Sequence, residues 1–126
     1  MTDRPEPATM HIGAVAARTG LSLRTLRHYD EVGLVRPSGR SDGGFRLYTQ
    51  QDVDRLLVVR RMKPLGFTLE EMADLLEISD RLAGGDVDAE LRDRLAAYLD
   101  TAEQRRADLA RKLAMADEFI AVLKSR

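Results

Sequence analysis

From Asp86 to the C-terminus the chain contains no glycine or proline, and its apolar residues recur at alternating steps of four and three: Leu91, Leu95, Tyr98, Ala102, Leu109, Ala116, Phe119 and Leu123. Arg105 and Lys112 interrupt this seam, and Leu113 and Ile120 flank it. That period belongs to an amphipathic helix whose stripe faces another helix. At 1.5 Å per residue, roughly 35 residues reach about 50 Å. A chain of 126 residues builds only a modest core, too small to cover so long a stripe. Two copies joined as a two-stranded coiled coil, parallel or antiparallel, would cover it. The alternative is a helix folded back on the N-terminal part. In the first reading Leu91, Leu95, Tyr98, Ala102, Leu109, Leu113, Ala116, Phe119, Ile120 and Leu123 form a homodimer interface.

Upstream the pattern is shorter and more broken. Ile12, Val15 and Ala16 mark one face of a short helix that Gly20 ends. Ser22 suits the N-cap of a second helix, running through Leu23, Leu26 and Tyr29 towards Val32, with Gly33 as its stop. Two short helices around a glycine-containing turn outline a helix-turn-helix. Pro37 to Gly44 is rich in Pro, Ser, Gly and Asp, after which Phe45, Leu47 and Thr49 alternate with Arg46 and Tyr48. This predicts a hairpin, read as a wing beside the two helices. Thr49 with Asp52 caps a third helix that Pro64 and Gly66 end, and Thr68 with Glu71 is a capping box for a fourth through Leu76. Gly84-Gly85 then breaks the chain. The expected organisation is a disordered arm over residues 1–10, a DNA-binding domain over 11–82 and a long helix over 86–124.

Net charge of −1 conceals a division. Residues 1–66 carry 11 Lys or Arg against 7 Asp or Glu, whereas residues 67–126 carry 9 against 14. A basic N-terminal half fits a surface aimed at phosphate, although ordinary scatter explains the same split. On the second helix Arg24 and Arg27, with Ser22, Thr25, His28 and Tyr29 near them, suit guanine edges and phosphates. Arg40, Arg46 and Tyr48 on the hairpin and Lys63 after the third helix could add phosphate contacts. A plainer reading makes Phe45 and Leu47 the core face of the hairpin, with Arg46 and Tyr48 its wet face.

Cysteine is absent, so thiolate metal sites, iron–sulfur clusters and a cysteine nucleophile are excluded. His11 and His28 are the only histidines, and no catalytic triad or glycine-rich phosphate loop accompanies them. Acidic pairs such as Glu70-Glu71 and Asp117-Glu118 read as solvated charge. No enzyme, cofactor or metal is expected. No segment approaches the roughly 20 apolar residues of a membrane span, and a cytoplasmic protein is the expectation.

The stretch from Ile12 to Leu76 resembles the MerR family of bacterial transcription regulators. The resemblance rests on I-G-A-V-A-A-R-T-G-L-S at 12–22, T-L-R-H-Y-D-E-V-G-L-V-R-P at 25–37, G-F-R-L-Y-T-Q-Q-D-V-D-R-L at 44–56 and L-G-F-T-L-E-E-M at 65–72. It implies a mainly α fold: a winged helix-turn-helix with a short β-hairpin wing, followed by a long dimerisation helix in an antiparallel coiled coil. By resemblance Arg24, Arg27, Tyr29, Arg40, Arg46, Tyr48 and Lys63 correspond to DNA-contacting positions. Phe45 stands where a tyrosine is frequent, and His28 replaces a more usual aromatic or apolar residue. The family implies a homodimer on a pseudo-palindromic promoter site, bending and untwisting an overlong spacer for RNA polymerase. With the chain ending at Arg126 and no thiolates, no effector domain is expected, and any small-molecule effector is unknown. Rival expectations are an architectural or excisionase-like DNA-bending factor and a coiled-coil protein-interaction module.

Overall fold

A computed structural model describes residues 8–126, and most of the arm expected at residues 1–10 lies outside the described residues. Elements run β1 (Thr9–His11), α1 (Ile12–Thr19), α2 (Leu23–Glu31), β2 (Gly39–Arg40), β3 (Arg46–Thr49), α3 (Gln50–Met62), a 3-10 turn (Lys63–Leu65), α4 (Leu69–Ala83) and α5 (Ala89–Lys124). Their ends follow from local chemistry. Gly20 takes φ 71° and its N–H reaches the Ala16 carbonyl, a left-handed stop that a side chain would strain. Ser22 Oγ accepts from the Thr25 N–H at 3.0 Å and so caps α2. Thr49 and Asp52 form a reciprocal capping box on α3, and Thr68 with Glu71 forms another on α4 at 2.9 and 3.1 Å.

The chain divides into two compact units, one running to Ala73 and one spanning Asp74–Arg126. The division falls inside α4, not at the glycine pair where the sequence breaks. In the first unit the sheet is antiparallel with order β1-β3-β2. Met10 stands opposite Tyr48, and Arg40 opposite Arg46. Thr9 and Met10, expected in the arm, therefore belong to the sheet. Three residues are too few to show a strand period, and β3 supplies the backbone partners that order them.

The first unit buries Val15, Leu26, Tyr29, Tyr48, Val53, Leu56 and Val59 as its core. Leu23 and Val32, apolar positions of the α2 pattern, are 40% and 49% exposed. Only Leu26 and Tyr29, three apart, point inward from that helix. Arg60 of α3 donates to the Thr19 carbonyl at 2.7 Å, satisfying the C-terminus of α1 and tying it to α3.

In the second unit Leu76, Ile78 and Leu91 are buried. Asp74 receives Arg94 in an ion pair and the Tyr98 hydroxyl at 2.7 Å, which joins α4 to the start of α5. Leu91 is buried within its own chain and so is not free to face a second copy as expected, whereas Tyr98, half-buried, gives its hydroxyl to Asp74. The period gives the stripe but not its partner. From Arg106 onward every residue of α5 is exposed, including Leu109, Leu113, Phe119, Ile120 and Leu123. Among the described residues no helix is long and apolar enough to cross a membrane.

Candidate nucleic-acid interface

Helical geometry sorts α2 into two faces. Leu26 and Tyr29 turn inward, so Arg24, Arg27 and His28, spaced three and four apart, share the outer face and are all exposed. Ser22 and Thr25 stand at the start of the helix with their hydroxyls 2.9 Å apart, committed first to capping it. Lys63, exposed in the 3-10 turn, lines a groove of about 930 Å³ together with Arg24 and Arg27. Tyr29, Phe67 and Met72 give the groove an apolar lining. A second hollow of about 490 Å³ brings Arg27 together with Phe45 and Arg46 of the wing and His11 of β1. Arg27 borders both.

The wing is built on a tight loop. Gly44 takes φ 83°, its N–H reaches the Ser41 carbonyl at 2.8 Å, and the Ser41 N–H reaches the Phe45 carbonyl at 2.8 Å. A Cβ on Gly43 would stand 3.3 Å from the Phe45 ring. That ring is 67% exposed and meets His11 edge-on at a centroid distance of 6.3 Å.

Asp30, near the end of α2, receives both wing arginines on a single oxygen. Arg40 Nη2 donates to its Oδ2 at 3.1 Å, and Arg46 Nε at 2.7 Å. This hydrogen bond raises the Arg46 pKa, with burial opposing it. Sequence reasoning passed over Asp30, one of the two acids, with Glu31, that end α2. The available signal was a carboxylate amid cations with two arginines close downstream.

One expected DNA contact takes another place. Tyr48 is fully buried, and its hydroxyl has no hydrogen-bond partner among the described residues. Tyr29, at 3% exposed, still lines the groove beside Arg24 and Arg27. Burial raises the pKa of both phenols. Tyr48 is a core residue rather than part of the surface, because the hairpin turns its Arg46–Tyr48 face inward and its Phe45 face outward. Arg24, Arg27, His28, Arg40, Phe45 and Lys63 are exposed, and Arg46 is partly so. Among the described residues no group of three or more His, Cys, Asp or Glu could hold a metal ion.

The family model of MerR helix-turn-helix regulatory proteins matches residues 10–78, and a MerR DNA-binding model matches residues 53–122. The mercuric resistance operon regulatory protein of Bacillus cereus is 44% identical over 70 residues, covering 56% of this chain and 53% of its own length. The chain therefore spans about half the length of curated relatives of this kind. Among solved structures, the N-terminal part of MtaN, the Bacillus subtilis multidrug transporter activator, is 31% identical with a TM-score of 0.58, over 91% of this chain and 94% of that one. HiNmlR, described as a MerR family regulator lacking the sensor domain and bound to promoter DNA, is 25% identical with a TM-score of 0.70, over 94% and 92%. The chain belongs to the MerR family of helix-turn-helix regulatory proteins.

Proposed function

We propose that this chain is a sequence-specific DNA-binding transcription regulator that acts as a homodimer. The carrying observation is the outer face of α2, where Arg24, Arg27 and His28 stand exposed beside a wing bearing Arg40 and Arg46. Such a face suits a major groove, with guanidinium forks on guanine edges and phosphates. The wing and Lys63 serve the flanking backbone. The promoter-bound HiNmlR supports this reading through a shared fold. The exposed apolar residues of α5 from Leu109 to Leu123 fit an antiparallel coiled coil with a second copy. A two-fold dimer reads a pseudo-palindrome. Its output is promoter control by bending and untwisting of the spacer, which brings both promoter elements to RNA polymerase.

Selection from a random duplex library by the purified full chain tests this. Enriched duplexes should carry inverted half-sites, and Arg27→Ala should weaken binding to them about tenfold to a hundredfold, the worth of a bidentate base contact. Enrichment of no sequence, or full binding by Arg27→Ala, refutes the reading.

A further inference from the structure

The register of the wing sets a problem that one residue of α2 resolves. Arg40 and Arg46 are direct cross-strand partners, and like charges facing each other across a ladder destabilise it. Both donate to Asp30 Oδ2, a carboxylate whose side chain is only 12% exposed. Arg40 also donates through Nη1 to the Gly44 carbonyl at 3.3 Å, so one guanidinium joins the wing loop, the wing strand and α2. Arg46 is held through Nε. That bond leaves its two terminal amino groups, the fork suited to a phosphate or a guanine edge, on a side chain whose rotamer is already fixed.

We propose that Asp30 is a specificity-determining residue, clamping the two wing arginines to α2 so that helix and wing meet a duplex as one rigid set of cations. It acts in two ways. It fixes where the guanidinium groups stand, which favours a duplex whose shape and edges fit them. It also cancels one of their two charges, and that charge would otherwise favour every duplex alike. The proposal rests on the DNA-reading function above.

The test uses the full chain with two probes: a duplex enriched by the wild-type protein and a random-sequence duplex of equal length. In Asp30→Asn the random duplex should bind about fivefold tighter, with a log–log salt slope steeper by up to about 0.9, the value of one added phosphate contact. The preference for the enriched duplex should fall about tenfold, as ordering of the two arginines moves from the free protein to the complex. In an Arg40→Ala/Arg46→Ala background the same substitution should leave both the preference and the slope unchanged, an outcome a merely structural role would not give. Asp30→Glu keeps the charge and changes the reach, so its salt slope should stay at the wild-type value while its preference falls. It carries the test alone should Asp30→Asn fail to fold. An unchanged preference and slope in Asp30→Asn, or a steepened slope in Asp30→Glu, overturns the inference. A wild-type chain that enriches no duplex overturns the DNA-reading function instead.

Discussion

The buried phenol of Tyr48 separates two accounts of the wing. Tyr48 is fully buried, and its hydroxyl lacks a partner among the described residues. A hydroxyl taken from water without a compensating bond costs about 1–3 kcal/mol. Tyr48→Phe removes that cost and little packing, since the ring and its contacts stay. The unit running to Ala73 should gain about 1 kcal/mol, which for a unit of its size raises its melting temperature by roughly 4–8 °C. Thermal unfolding followed by circular dichroism reads this directly. Affinity for an enriched duplex should stay at the wild-type value, because the hydroxyl is not at the surface. A lower melting temperature would mean that the hydroxyl is satisfied in the native protein. Lost duplex affinity at an unchanged melting temperature would return Tyr48 to the interface. Either result refutes the reasoning.

Burial raises the phenol pKa values of Tyr29 and Tyr48, so the stability they contribute is fully present below the unfolded value of about 10 and is lost as pH rises through the folded values. Alkaline unfolding should therefore begin near pH 10 and be blunted in Tyr48→Phe, and identical pH profiles for the two proteins would contradict this. Asp52 Oδ2 accepts from the Ser38 N–H, the Ser38 hydroxyl and the Thr49 N–H at 3.1, 2.6 and 2.9 Å. Asp52→Ala should cost about 2–4 kcal/mol by denaturant titration, and a loss below about 0.5 kcal/mol, the scale of an ordinary surface change, would count against that network. Leu91 is 1% exposed and Leu113 64%. Leu91→Ala should cost about 2–4 kcal/mol at any protein concentration, whereas Leu113→Asp should shift sedimentation from dimer to monomer on dilution; the reverse pattern would move the interface to the start of α5.

Much of the helical frame was legible because caps are local. Ser22, the Thr49–Asp52 pair, the Thr68–Glu71 pair and Gly20 each act within one turn, so a few adjacent residues state the outcome. The α5 stripe was legible for the same reason, as its period is a property of one segment. What covers the stripe is not. Asp74 lies 20 residues before Arg94 and 24 before Tyr98, and no periodicity announces such a partner. Of the candidate interface, the outer face of α2 could be read from spacing once Leu26 and Tyr29 were taken as its core.

The wing was misread for a reason that bears on its use. Arg46 and Tyr48 share one face of β3 by the period of two, and Phe45 falls on the other. Hydrophobicity alone cannot choose between a face with Phe45 and Leu47 and one with Arg46 and Tyr48. An arginine tips an unaided reading towards calling its own face wet. The opposite face turns inward with Asp30, 16 residues upstream, receiving the partly exposed Arg46 at the edge of the core. Once that pair forms, Tyr48 can be buried and Phe45 is left exposed at the wing. A local rule broken by a long-range charge pair is characteristic of a site under functional constraint. Here the departure and the pairing of two wing cations with a residue of α2 have the same cause.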